Sequence, residues 1–271
     1  MTMSKKTLIT AVLAVIFSMS AVGPVAAITS GEPDGDGHPY VGLMIAQDKD
    51  GNPLWRCTGT LIAPELFLTA GHCTEAPAAH IEIWFDADVE SGIPENGYPF
   101  TGDVGGTPYT HPDYDPNAFF LHDLGVVVLD EPVLMDEYGV LPEENQLDVL
   151  ATRRGLQNVR FTAVGYGLQN ANKNHTQAER VRLVAHPRLI QVNTPGFTGD
   201  FAILMTNNSK TGGTCFGDSG GPVFIGDTNV LAGVTSFGLN SNCAGTGGVY
   251  RLDKADDLDW LYGTFGGLLN S

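Results

Sequence analysis

The sequence predicts an all-β chain closed by a short C-terminal helix, on three observations. Short apolar runs alternate with dense turn signals along most of the chain. Glycine is abundant, at 34 of 271 residues, which suits a turn-rich chain better than a helical bundle. The best helical periodicity lies in one stretch near the C-terminus.

The elements follow in order. Residues 41–45 are apolar and β-compatible, and 48–53 (Asp-Lys-Asp-Gly-Asn-Pro) form a strong turn. Residues 58–62 and 66–69 read as strand, turn and strand. Residues 81–85 alternate over most of their length, as a half-buried strand does. The Gly, Pro and Asp cluster of 91–106 reads as loop, and 124–129 is a dense apolar run stopped by Asp130-Glu131-Pro132. The second half repeats the style at 161–166, 181–185, 222–225, 230–236 and 248–252. Residues 254–262 place Ala255, Leu258, Leu261 and Tyr262 on one helical face, with Gly263 positioned to cap the end. The polar stretch 137–156 predicts the connection between two β domains.

Residues 1–27 read as a secretory signal of bacterial style. Lys5 and Lys6 form the basic region, Leu8 to Phe17 the apolar region, and Val25-Ala26-Ala27 the cleavage site. No later stretch reads as an anchor, so export and release are expected. The formal charge is −17, and −19 without the leader, with 12 basic against 31 acidic residues left. That balance argues against a duplex nucleic-acid partner, which requires a basic face. Four cysteines in an exported chain suggest two disulfides with three possible connectivities. Pairing Cys57 with Cys73 and Cys215 with Cys243 closes modest loops, but spacing does not decide. No CxxC pair suggests a metal site, and Asp86, Asp88 and Glu90 read as an exposed acidic strand end.

Three segments carry chemistry: Leu68-Thr69-Ala70-Gly71-His72-Cys73, His122-Asp123-Leu124-Gly125-Val126-Val127-Val128-Leu129, and Cys215-Phe216-Gly217-Asp218-Ser219-Gly220-Gly221-Pro222. A serine hydroxyl needs a base within hydrogen-bond reach to become a nucleophile. Histidine suits that task because its pKa lies near the working pH. A buried carboxylate on its far nitrogen fixes the tautomer and stabilises the imidazolium. Glycines beside the serine permit a tight turn that directs backbone N–H groups at one spot.

These segments resemble the three catalytic signatures of the trypsin and chymotrypsin family, in the order His, Asp, Ser. Cys57 and Cys73 bracket the histidine as that family's disulfide does. His111-Pro112-Asp113-Tyr114, Val164-Gly165-Tyr166-Gly167, Ser236-Phe237-Gly238, Cys243 and Gly248-Val249-Tyr250 extend the likeness across the chain. The resemblance implies two antiparallel six-stranded β-barrels packed face to face, residues 28–140 and 141–271, the second including the helix. It implies a secreted serine endopeptidase with His72, Asp123 and Ser219 as triad, and Gly217 and Ser219 as oxyanion donors. Protein or peptide substrates, a monomer, and no cofactor, nucleic acid or membrane partner are expected.

The resemblance also implies an activation pair. Ile28, exposed as a new amino terminus by leader cleavage, would pair with Asp218, although Thr29 departs from the usual Val. The specificity pocket maps to Gly213, Thr214, Ser236, Phe237, Gly238 and Gly248. Gly213 stands where trypsin-like enzymes carry an aspartate, so cleavage after large apolar or aromatic residues is expected. No catalytic role falls on His122, which reads as surface or packing. His38, His80, His111, His175 and His186 read as loop residues. Asn174-His175-Thr176 and Asn207-Asn208-Ser209 match the glycosylation sequon by chance. Two rivals remain: a non-catalytic binding protein on the same fold, and an esterase on an α/β fold. The esterase fails because that fold places Ser before Asp and His.

Overall fold

A computed structural model of the protein describes residues 27–151, 158–172 and 174–270. The leader lies outside them up to residue 26, as does the end of the connecting segment from 152. After a two-residue strand, β1 (Glu32–Pro33), six strands build the first unit. They are β2 (Val41–Gln47), β3 (Pro53–Ala63), β4 (Leu66–Thr69), β5 (His80–Trp84), β6 (Val104–Thr110) and β7 (Gly125–Leu129). They close into an antiparallel barrel in the order β2-β3-β4-β7-β6-β5. Leu43, Met44, Leu61, Phe67, Ile83 and Val126, on the two faces of its wall, are all fully buried. β2 is buried at every position, so its run is continuously apolar instead of alternating.

The second unit contains β8 (Phe161–Gly165), the hairpin β9 (Asn170–Asn172) and β10 (His175–Gln177), and β11 (Leu183–Ala185). β12 (Leu189–Thr194), β13 (Gly199–Asn207), β14 (Pro222–Ile225), β15 (Leu231–Gly238) and β16 (Gly245–Arg251) complete it. Here the structure forms one eight-stranded sheet, β1-β11-β8-β14-β15-β16-β13-β12, where a six-stranded barrel was expected. The difference has a physical origin. β11 and β12 are one bent segment, joined through His186–Arg188, that meets β8 twice. Phe161 N–H donates to Pro187 O at 3.0 Å, and Leu189 N–H to Val159 O at 2.9 Å, beside an isolated Arg160–Arg188 bridge. Counted once, and without the edge strand β1, that segment leaves six strands around a curled sheet.

Six strands escaped the sequence reading: the short β1, β9 and β10, and the longer β6, β12 and β13. β6 begins inside the segment read as loop, because Gly105, Gly106 and Pro108 look like breakers. Gly106 instead allows close packing: a Cβ there would lie 2.6 Å from the Val127 side chain. β12 and β13 form a hairpin with two register shifts, between Leu189 and Gln191 and between Val192 and Thr194, and the buried run 202–205 of β13 follows the same rule as the strands that were found. The C-terminal helix spans Ala255–Leu269 and passes through Gly263, which therefore does not cap it. Phe265, 4% exposed, extends the apolar face beyond that glycine and meets Tyr109 of β6 edge-on at 5.5 Å. The helix thus packs on the first barrel, although its sequence follows the second unit.

Candidate active site

His72 sits on a single helical turn, Gly71–Thr74, immediately after β4. The turn is tied down by the Cys57–Cys73 disulfide and by Trp55 Nε1, which donates to Cys73 O at 3.0 Å. Asp123 precedes β7 and is fully buried. Its Oδ1 accepts the His72 backbone N–H at 2.9 Å, and both its oxygens lie 3.0 Å from His72 Nδ1. Ser236 Oγ donates to Asp123 Oδ2 at 2.5 Å. Ring and backbone of one histidine are thus held on one buried carboxylate. Burial pulls the His72 pKa down, but the charge and hydrogen bond of Asp123, aided by Glu75, outweigh it and leave the pKa raised.

Ser219 lies in the loop between β13 and β14, cross-linked by Cys215–Cys243. Gly220 has φ +76°, and a Cβ there would stand 1.9 Å from Thr69 Oγ1, so only glycine fits. Three bonds orient the loop's peptides. Leu168 N–H donates to Phe216 O at 2.8 Å, Gly221 N–H to Asp218 O at 2.8 Å, and Thr58 Oγ1 to Gly217 O at 2.8 Å. In a trans peptide the N–H points opposite to its carbonyl. The first two bonds therefore turn the N–H groups of Gly217 and Ser219 away from the loop's anchors. Thr58 also donates its backbone N–H to Ser219 O at 2.8 Å. It joins the first barrel to the Ser219 loop, a role its sequence context did not reveal.

Ser219 and Ser236 line one cavity of about 130 Å³, together with Thr214, Phe216, Phe237 and Gly238. Ser236 also donates to Asp123, so one residue links the His72–Asp123 pair to the cavity that Ser219 lines. A family model described as Trypsin matches residues 29–257. The chain belongs to the trypsin family. Members of this serine protease family are hydrolases that use a Ser-His-Asp triad. Among curated trypsin-family relatives, Serine protease 7 of Drosophila melanogaster is 28% identical over 83% of this chain and 61% of its own length. The Trypsin of Saccharopolyspora erythraea is 28% identical over 79% of this chain and 87% of its own. The structure of HL collagenase superposes with a TM-score of 0.67 at 22% identity, covering 88% of this chain and 98% of that one.

Other residues mapped from the trypsin-family pattern lie as follows. Gly213 and Gly248 do not line the cavity. Gly213 is covered by Asn207, whose Cγ would stand 2.4 Å from a Cβ there. Gly248 is covered by the Phe237 ring, at 2.3 Å from the same hypothetical atom. Asn240, Thr235 and Cys243 join the lining instead. Phe119 and Phe197 pack edge-on to Phe237, at 5.7 and 5.9 Å, and form an aromatic wall that no sequence motif announced.

Asp218 is fully buried; its Oδ1 accepts Gly167 N–H at 2.7 Å and its Oδ2 accepts Cys215 N–H at 2.8 Å. Burial pushes its carboxyl up to about 7, despite those bonds and the Arg56 charge. Ile28 is fully buried in the second core, and Thr29 bridges to Gly213. Among the remaining histidines, His80 opens β5 and pairs with Glu82 at 3.0 Å, and His38 pairs with Asp34 at 2.6 Å. His175 falls within β10, and His111 is buried.

Proposed function

We propose that the mature chain is a secreted endopeptidase that cleaves peptide bonds through an acyl-enzyme. The observation that carries this is Ser236, which lines the cavity with Ser219 and also donates to the Asp123 carboxylate that holds His72. Ser219 Oγ attacks the scissile carbonyl, and His72 Nε2 takes its proton and returns it to the leaving amine. Asp123 keeps the His72 proton on Nδ1 and stabilises the imidazolium. The N–H groups of Gly217 and Ser219 receive the oxyanion, where one lost donor costs about 2.7–4 kcal/mol. Water then releases the acyl group by the reverse relay.

The cavity is of the size that holds a single aromatic ring, since a space of about 150 Å³ accepts benzene. It carries no carboxylate among the described residues that line it, which supports cleavage after large apolar or aromatic residues over Arg or Lys. Phe119, Phe197 and Phe237 offer further apolar surface beside it. Activation follows leader removal: cleavage after Ala27 frees an ammonium at Ile28 that neutralises Asp218. The support is a buried Ile28 and a buried carboxylate with no ion-pair partner among the described residues. Export rests on the leader pattern and the two disulfides, and a bacterial source on the leader's style alone.

The test maps cuts in a denatured protein mixture by mass spectrometry, comparing the mature form with Ser219→Ala. Cuts after Phe, Tyr, Leu or Met that vanish in the variant are expected. Ser219-dependent cuts after Arg or Lys would overturn the pocket reading but not the chemistry. A folded, inactive protein would favour the binding-protein alternative. Active enzyme whose amino terminus is not Ile28 would remove the activation pair.

A further inference from the structure

We propose that the protein binds one divalent transition-metal ion of the zinc class on His111, His122 and Asp257, where the Asp123 loop meets the C-terminal helix. Among the described residues, His111 Nε2 is buried without a hydrogen-bond partner on a side chain 3% exposed, and His122 Nδ1 is a buried, unpartnered atom on a side chain 18% exposed. Both face one carboxylate. Asp257 Oδ1 lies 3.8 Å from His111 Nε2 and 3.9 Å from His122 Nδ1, and Asp256 Oδ2 lies 3.5 Å from His122 Nδ1. One donor atom from each of His111, His122 and Asp257 falls within a 4.8 Å span.

The two Asp257 separations are too long for hydrogen bonds. They are wider than the donor spacing on one ion, so ligation draws the three groups together by about 0.5 Å and tilts the two imidazoles, now stacked 11° from parallel. Bonds of roughly 2.0–2.2 Å at tetrahedral angles hold neighbouring donors about 3.4 Å apart. Two imidazoles with one or two carboxylates form a nitrogen-and-oxygen set that suits zinc and its neighbours better than calcium or magnesium. An outer layer is in place. Tyr250 Oη donates to both Asp257 oxygens at 3.0 and 2.8 Å, and Trp260 packs edge-on to His111 at 4.8 Å. One contact must yield: Asp113 N–H reaches His111 Nδ1 at 3.2 Å. Ligation through Nε2 moves the ring proton to Nδ1 and opens that long bond. The rival is a pair of adjacent imidazoles, centroids 4.9 Å apart, with no ion between them.

An ion here would clamp His122, next to Asp123, to the helix that seals the first barrel. His122 also holds a left-handed φ of 50°, so Asn is the replacement that best keeps its backbone. The test uses metal-free mature Ser219→Ala protein, titrated with Co²⁺ for visible absorption and with Zn²⁺ for thermal unfolding. Expected are one ion per chain, tetrahedral cobalt bands, and a Tm rise of about 5 °C or more at a hundredfold excess over Kd. Both signals disappear in His122→Asn, whose metal-free Tm reports its folding, and persist in His72→Ala. Absence of binding, or binding that survives His122→Asn or is lost in His72→Ala, overturns the proposal. Because binding is read without catalysis, its failure is distinct from failure of the peptidase reading.

Discussion

At the scale of single residues, the site is governed by where charge is buried. In the proposed mechanism His72 is neutral when it accepts the Ser219 proton, and its pKa lies above the ordinary imidazole value because Asp123 faces it. kcat/KM should therefore rise with pH to a midpoint above about 6.5. Glu75 contributes to that rise, so Glu75→Gln should move the acidic limb to lower pH while leaving the plateau within about twofold. A pH–rate profile on a small ester or amide checks both. Asp218 acts in the opposite sense in the uncleaved chain. Its carboxyl, raised to about 7 by burial, holds a proton more tightly folded than unfolded. Its contribution to stability is full below about pH 4 and lost as pH rises through 7. Urea unfolding of the uncleaved Ser219→Ala chain should show that loss, and Asp218→Asn should flatten it. If the proposed activation pair forms, cleavage before Ile28 should flatten it as well, because the new ammonium would neutralise Asp218.

Elements show how local rules and packing compete. Gly263 follows the last residue of the predicted helix and has the composition of a cap, yet the helix continues for six further residues. Phe265 is buried on the first barrel, and that burial outweighs the poor helix propensity of Gly263, Gly266 and Gly267. All three have open space where a Cβ would stand. Gly263→Ala should thus stabilise the protein by about 1 kcal/mol in denaturant unfolding, whereas a capping glycine would give a loss. Strand β6 teaches the same lesson from the other side. Its glycines looked like loop residues, but the barrel needs a small residue where Gly106 meets Val127. By contrast, β4 and β14 emerge with the bounds the sequence predicted, because short apolar runs between strong turns leave little ambiguity.

At the scale of the whole molecule, Arg182 joins the two units. It is 2% exposed, with Nε donating to Asp34 at 2.9 Å and Nη1 to Val41 O and Phe85 O at 3.1 and 2.9 Å. Tyr166 Oη lies in the same network, and donates to Asp86 O at 2.8 Å. Arg182→Met should cost about 3–5 kcal/mol in chemical unfolding, because it takes the cation from a buried Asp34 carboxylate that keeps only His38 among the described residues, and a donor from Phe85 O. The sequence by itself determined the all-β class, most strands, and the three segments that carry His72, Asp123 and Ser219. Strand periodicity and motif chemistry are local, so they can be read from neighbours in the chain. Only the tertiary structure decided that Ser236 caps Asp123, that Thr58 holds the Ser219 loop, and that Phe237 covers Gly248. It also decided that the C-terminal helix belongs to the first barrel's core. Each of these is a contact between residues more than ten positions apart, set by how two curled sheets bury their faces, and no periodicity along the chain encodes it.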